Sequence, residues 1–211
     1  MVDVILSWGH EPIIVDNDSS WPATLRWYKH AAPCQVIYLH ANMGHRAPWQ
    51  SGTIEEYAGD GVYAVSDPDL DLSDVPADAL EVMAAHLERH PRLMKVGLSL
   101  RLDDIPADNP QRQAIIDHEA QFWPPLRDGM HVCALDTTLA VYDARRPYPP
   151  GFNHPGVWPA ARLPHPYTAR HHPWYLAPHR QSDEWRYYVE HSERATEWTH
   201  RMADAAEPAP A

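Results

Sequence analysis

The chain has 211 residues, which is enough to form one sizeable hydrophobic core and favours a single domain. Its formal net charge of -12 at pH 7 argues against a nucleic-acid partner, because the phosphate backbone would be repelled. Two distant cysteines, no membrane-length apolar run and no signal-peptide pattern together lead us to expect a protein of the reducing cytoplasm.

The first half of the chain alternates between short helices and short apolar runs. Apolar residues have helical spacing over residues 2–8, and Gly9 follows them, which predicts a helix that ends there. Further helices are predicted at 22–31, 78–89 and 111–122, and strands at 12–15, 35–39, 62–65, 95–102 and 130–142. This order of elements predicts an α/β fold in which helices flank a mostly parallel sheet.

The second half of the chain is rich in proline, histidine and tryptophan, of which the whole sequence has 22, 15 and 9. We therefore expect residues 143–178 to be mostly loop, followed by a closing helix at 183–201. Residues 203–211 are mostly small and include proline, which predicts a disordered tail after a single domain of residues 1–202.

Acidic and amide side chains follow two of the predicted strands. Asp16 and Asn17 come at the end of strand 12–15, while Asp67 and Asp69 follow the apolar run 62–65, which we expect to be a buried strand. Charge at the carboxyl end of such a strand lies where open α/β sheets bind their ligands. Two neighbouring carboxylates there can share a divalent cation that also binds phosphate. The alternative is a simple acidic turn before the next helix.

Three segments taken together resemble glycosyltransferases of the GT-A fold, close to the family-two-like enzymes of bacterial surface-polysaccharide gene clusters. They are residues 14–19 (IVDNDS), 42–44 (NMG) and 65–70 (VSDPDL). Residues 95–98, 136–138 and 170–175 add to the likeness, which extends over about residues 1–190. The resemblance implies a transferase that moves a sugar from a nucleoside-diphosphate donor to a hydroxyl group of a carbohydrate or other acceptor.

The resemblance also implies roles for individual residues. Asp16, with Asn17 beside it, matches the family position that contacts the base or ribose of the donor. Arg46 lies where such enzymes often keep a basic residue near the diphosphate. Asp67 and Asp69 match the acidic pair that faces the ribose and the metal-bound diphosphate.

The metal implied by the resemblance is Mn²⁺ or Mg²⁺, held by Asp67 and Asp69. A late histidine also reaches the metal in several enzymes of this fold, and His171 is the candidate in this sequence. The alternative for His171 is a polar loop histidine beside Trp174.

Two features depart from the family pattern. The chain begins inside a predicted helix, so we expect that the family's first strand, which lines much of the base pocket, is missing. Residues 157–163 (VWPAARL) hold no carboxylate at the place where inverting enzymes keep their general base. An inverting transfer would then need Glu119 or Asp136 as the base, unless Glu119 is a solvated helix residue and Asp136 bonds to nearby backbone. A retaining transfer would need neither.

Other functions stay open. A degenerate domain of the same fold would bind a carbohydrate or a partner without turnover, and an uncovered sheet edge would favour pairing between chains. A sugar-nucleotide nucleotidyltransferase would normally show a glycine-rich loop with a basic residue, which this sequence lacks. A zinc hydrolase is indicated only by the number of histidines, because no second histidine follows the His118-Glu119 pair at helical spacing.

Overall fold

The computed structural model describes residues 1–135, 138–146, 158–176 and 182–191, which form a mixed α/β fold. The helices are α1 (Val2–Ser7), α2 (Pro22–His30), α3 (Ala47–Gln50), α4 (Thr53–Tyr57), α5 (Ala79–Arg89), α6 (Arg112–Glu119) and α7 (Asp183–His191). The strands are β1 (Ile13–Asp16), β2 (Gln35–Tyr38), β3 (Val62–Val65), β4 (Leu70–Asp71), β5 (Lys95–Leu100), β6 (His131–Val132), β7 (Ala140–Asp143) and β8 (Ala160–His171). The predicted tail, and the predicted helix beyond residue 191, lie outside the described residues.

The strands form two sheets. β1 and β2 pair in parallel as a small sheet, and the larger sheet has the order β3-β7-β5-β8-β4, with β6 also pairing with β8. Within the described residues, β5 and β8 are the one parallel pair of the larger sheet, and its other pairs are antiparallel. The prediction of a mostly parallel sheet was therefore wrong for the larger sheet. Periodicity reports where strands occur, but strand direction depends on connections that periodicity does not encode.

β5 is the central strand, and all six of its residues are buried. Gly97 is required there because a Cβ atom would lie 2.5 Å from the Leu135 side chain and 2.7 Å from the Leu139 carbonyl oxygen. α5 packs on β5 and β7 through Ala79, Met83 and Leu87, which repeat every four residues along one helix face. The middle of the sheet is thus closely packed, and it holds in place the segments at the two ends of its strands.

β8 corrects the prediction that residues 143–178 are mostly loop. It spans twelve residues although it contains Pro164 and Pro166, which on sequence rules argue against a strand. The pairing with β5 accommodates both prolines, because its register jumps from Leu98–Leu163 to Ser99–Thr168. The intervening residues of β8 therefore have no ladder partner on β5 and need not donate hydrogen bonds to it.

Two other strand predictions need correction. The predicted strand 130–142 is two short strands, β6 and β7, separated by a segment that includes residues outside the described part. β3 lies at the edge of the larger sheet as described, and Val62 is 50% exposed, so this strand is not the buried strand that its apolar run predicted.

Among the described residues, no helix combines the length and the apolar character needed to cross a membrane.

The layer formed by β1, β2 and α2 has little core of its own. None of the α2 residues is buried, and the buried residue of the two strands is Asp16, a polar one. Leu25, Trp27 and Tyr38 in this layer are each more than a third exposed. Two-stranded sheets are only marginally stable in water, so this layer depends on its contacts with the rest of the chain.

We expect the backbone amides of residues 13–38 to exchange with solvent about 100-fold faster than those of β5, because local opening there exposes few buried apolar contacts. Hydrogen–deuterium exchange measured by mass spectrometry on peptides from both regions tests this expectation. Residues 79–89 of α5, which bury one helix face, provide a helical control for α2. Equal protection of α2 and α5 would contradict the prediction.

Candidate functional site

Asp69 and His171 meet at one end of the larger sheet, where β4 pairs with the end of β8. Leu70 and His171 are partners in the β4–β8 ladder, and the His172 backbone N–H donates to the Asp69 carbonyl oxygen at 2.8 Å. This backbone pairing brings His171 Nε2 to 3.1 Å from Asp69 Oδ2. Two residues that are 102 positions apart in the sequence therefore form one hydrogen-bonded pair.

Each member of this pair keeps one buried atom without a hydrogen-bond partner in the described residues, Asp69 Oδ1 and His171 Nδ1. When a neutral imidazole donates through Nε2–H, its Nδ1 carries a free lone pair. Buried polar atoms are nearly always satisfied in folded proteins. These two atoms are therefore unsatisfied positions at which a polar ligand can bind, although Nδ1 lies on the edge of the ring that points away from Asp69.

The His171 ring is held from behind by a buried aromatic residue. It packs edge-on against Trp174, with ring centroids 4.8 Å apart and an interplanar angle of 79°. Trp174 is fully buried, and its carbonyl oxygen accepts a 2.7 Å hydrogen bond from Asn109 Nδ2. The ring therefore has little freedom to turn away from Asp69.

Arg170, the residue before this histidine, fixes the end of β8 through three carboxylates. Its guanidinium group lies 2.6 Å from Asp74, 2.7 Å from Asp104 and 3.6 Å from Asp71. Burial alone would raise the pKa of Asp104, but hydrogen bonds from Tyr175 and Arg170 outweigh burial and lower it. Asp104 thus stays ionised in the folded protein and holds Arg170 in place.

A buried ion pair lies further back along β8, where Arg162 is the ladder partner of His131 in β6. Arg162 Nη1 donates to Glu119 Oε2 at 3.1 Å, and the two side chains are 3% and 6% exposed. Arg162 also donates from Nε to the Ala134 carbonyl oxygen and lies over the Phe122 ring, 4.4 Å from its centroid. Burial raises the pKa of Glu119, while the charge of Arg162 and the neighbouring His118 oppose that rise. Glu119 is therefore a buried carboxylate whose ion-pair partner in the described residues is Arg162.

Asn17 and Asp16 order the loop at the end of the small sheet. The Asn17 amide donates to Asn42 Oδ1 and to the Gly44 carbonyl oxygen, both at 3.1 Å, and its Oδ1 accepts from the Met43 N–H. Asp16 is buried and accepts a 3.3 Å hydrogen bond from the backbone N–H three residues later. Neither side chain contacts the Asp69–His171 pair in the described part of the chain.

The other predicted site residues have different surroundings. Arg46 ends a 3₁₀ turn over Gly44–Arg46, and its side chain makes no hydrogen bond or ion pair with the residues that the structure describes. Asp67 is half-buried between β3 and β4, and the Ser66 hydroxyl donates to its carbonyl oxygen. Asp136 lies outside the described residues.

The predicted metal set is assembled only as the Asp69–His171 pair. Within residues 1–135, 138–146, 158–176 and 182–191, no group of three or more His, Cys, Asp or Glu side chains is arranged to hold a metal ion. The chain matches no protein-family model, no curated protein and no solved structure.

Sequence reasoning missed both arginines of β8 that support the site. Arg162 and Arg170 lie in a segment whose prolines predicted a loop, so neither was expected to be buried or paired. The one local signal is that Ala161 and Leu163 flank Arg162 and that Ala169 precedes Arg170, as in a strand. The identity of their partners could not be read from the sequence, because Glu119 and Asp104 reach them from other elements.

Proposed function

We propose that this chain is a metal-dependent glycosyltransferase of the GT-A type, which transfers a sugar from a nucleoside-diphosphate donor to an acceptor hydroxyl. The observation that supports it most is the Asp69–His171 pair. The resemblance in sequence names both residues as metal ligands although they lie far apart along the chain. In the fold His171 Nε2 and Asp69 Oδ2 are 3.1 Å apart, and with the imidazole proton on Nδ1 both atoms would be free to hold one cation.

The donor set of this pair fits Mn²⁺ or Mg²⁺. A carboxylate oxygen and an imidazole nitrogen suit Mn²⁺, and two protein ligands leave coordination positions for water and for phosphate oxygens. Asp69 and His171 would hold the ion, with Asp67 as the neighbouring carboxylate. A bound metal supplies positive charge that stabilises a diphosphate leaving group.

The donor's remaining groups would meet the loop that Asn17 orders. The side-chain bonds of Asn17 fix residues 42–44, which lead directly into the turn that carries Arg46. A guanidinium group without a carboxylate partner in the described residues is suited to bind a diphosphate oxygen. Asp16 would then contact the ribose or base from the end of β1.

Glu119 fits a supporting role better than the role of a general base. A base must come within hydrogen-bond reach of the acceptor hydroxyl. The Glu119 side chain is 6% exposed, and one of its oxygens is already bound by Arg162. We assign it a structural role, as the buried carboxylate that pairs with Arg162 and holds that guanidinium group in place. Asp136 remains the other proposed base.

A second candidate function is donor or carbohydrate binding without turnover. The observation that favours it is the division between the two sheets, because Asp16 and Asn17 lie by the small sheet while Asp69 and His171 lie at the larger one. No ladder joins the two sheets within the described residues. The two candidates differ in whether a nucleoside diphosphate is released.

Titration calorimetry with a panel of nucleotide sugars, with and without Mn²⁺, tests the proposed function. We expect at least one donor to bind only in the presence of Mn²⁺, and Asp69→Ala to abolish that binding. Asp60→Ala is the matched control, because this aspartate is exposed and precedes β3, whereas Asp69 follows that strand. No binding of any donor, or donor binding that Asp69→Ala leaves unchanged, would overturn the proposal.

A further inference from the structure

A cleft of about 300 Å³ lies at the other end of the larger sheet from the Asp69–His171 pair. It is bordered by residues 89–93, which lead into β5, whereas His171 ends β8, the strand that runs parallel to β5. Three arginines line it, Arg89, Arg92 and Arg127. Its apolar surface includes Leu93 and Met130, and Asp128 is the one carboxylate among its described lining residues.

Local backbone geometry places these arginines together. Asp128 and Gly129 have φ angles of 50° and 79°, which is the pattern of a tight hairpin turn with two left-handed residues. Arg127 and Met130 close this turn with two backbone hydrogen bonds of 2.8 and 3.0 Å. The turn lies against α5, whose last residue is Arg89, so guanidinium groups from two elements face one cleft.

None of these three arginines forms an ion pair within the described residues, and Asp128 offsets only part of their charge. The arginines that form ion pairs there are at positions 101, 145, 146, 162, 170 and 186. Arg92 and Arg127 have no side-chain partner in that part of the chain, and Arg89 donates to a backbone carbonyl oxygen. In a chain of net charge -12, unpaired arginines gathered at one cleft form a local region of opposite sign.

The end of α5 does not offset this positive region. The carbonyl groups at a helix C-terminus normally carry partial negative charge. Here Arg146 donates to the carbonyl oxygens of Leu87, His90 and Leu93, so that charge is already matched. Burial, together with the nearby charges of Arg89 and His90, lowers the pKa of His86 on the same helix. The positive charge at the cleft therefore comes from Arg89, Arg92 and Arg127.

We propose that this cleft binds a phosphomonoester group joined to an apolar body. Guanidinium groups bind phosphate oxygens through paired, charge-assisted hydrogen bonds, and a doubly charged phosphate matches several arginines better than a carboxylate does. The volume is at the lower end of the range for small-molecule sites and exceeds what a free phosphate ion fills. Leu93 and Met130 are buried beneath the cleft, and Val132 at its side is 45% exposed, which gives the apolar part a surface to contact.

The proposal is tested with the full chain and three probes: inorganic phosphate, phenyl phosphate, and phosphatidylcholine vesicles with or without phosphatidic acid. We expect phenyl phosphate to bind more tightly than inorganic phosphate. Arg92→Gln/Arg127→Gln should weaken its binding by about tenfold or more. Arg26→Gln/Lys29→Gln removes the same charge from exposed positions on α2 and should leave binding unchanged.

Amide chemical shifts of the unmodified chain locate the ligand without any variant, and shift changes should centre on residues 89–93 and 127–130. Binding of phenyl phosphate identifies a soluble phosphomonoester as the source. Binding confined to vesicles that contain phosphatidic acid identifies a lipid headgroup. The proposal is overturned if neither phosphomonoester probe binds, if the two double variants weaken binding equally, or if shift changes lie elsewhere.

Discussion

Replacing Asp69 by Asn is expected to lower the rate of sugar transfer by about 10²–10⁴-fold without unfolding the protein. The substitution keeps the shape of the side chain but removes the charge that would hold a cation beside His171. The fold should persist because Asp69 is partly exposed, and the backbone bond that joins it to β8 uses its carbonyl oxygen. Release of nucleoside diphosphate, measured for the donor that calorimetry identifies, gives the rate.

Asp60→Asn is the control for this prediction and should leave the rate within about twofold of the unmodified chain, since an exposed residue far from the chemistry contributes little to the barrier. A double variant tests whether Asp69 and His171 act as a unit. If they do, Asp69→Asn/His171→Gln should be no slower than the slower single variant, because residues that share one function lose it together. A rate unaffected by Asp69→Asn would exclude this pair from the reaction.

Replacing Arg162 by Met is expected to lower the free energy of unfolding by about 3–5 kcal/mol, because it leaves a buried carboxylate without its countercharge. Arg162 and Glu119 are both almost fully buried, and the guanidinium group also bonds to a backbone carbonyl oxygen. Denaturant unfolding followed by tryptophan fluorescence measures the change. Arg145→Met is the control, because Arg145 is 61% exposed and its pairing with Asp143 should contribute less than about 1 kcal/mol.

The effect of Arg162→Met should also depend on pH. Burial raises the pKa of Glu119, and loss of Arg162 would raise it further. A carboxyl group whose pKa is raised on folding stabilises the folded state below its ordinary pKa, and that contribution is lost as pH rises through the raised value. The variant's free energy of unfolding should therefore lie further below that of the unmodified chain at about pH 8 than at about pH 4.5. Glu119→Gln/Arg162→Met should recover part of the loss, and a loss independent of pH would contradict this explanation.

Positions of many helices and strands could be predicted from local pattern alone. The structure confirms helices near 2–7, 22–30 and 79–89 and strands at 13–16 and 95–100, because apolar spacing and turn residues act within a few positions. Strand direction was predicted wrongly for the larger sheet, since β7 returns antiparallel between β3 and β5. β8 was missed because prolines normally exclude a ladder, and here an irregular register accommodates them.

The candidate site likewise has residues that the sequence could predict and contacts that it could not. Asp69 was predicted as a metal residue from its place after strand 62–65, whereas His171 was singled out only through the family resemblance, and long-range strand pairing brings the two into contact. The pairing of Glu119 with Arg162 could not be predicted, because it joins α6 to a strand that local pattern did not reveal. The local sequence thus indicated which residues could belong to the site. Which of these residues contact one another depended on the topology of the sheet.

The jump in pairing between β5 and β8 also governs which way the end of β8 faces. Leu98 and Ser99 are adjacent in β5, but their partners in β8 are Leu163 and Thr168. Residues 164–167 of β8 are therefore extra at this point, and their number is even. Side chains along a strand alternate between its two faces, and an even insertion preserves that alternation. Arg162 and His171 therefore keep the orientations they would have on an uninterrupted strand. Deletion of one of residues 164–167 would turn the His171 side chain to the opposite face of the sheet. Deletion of two would leave it on the same face.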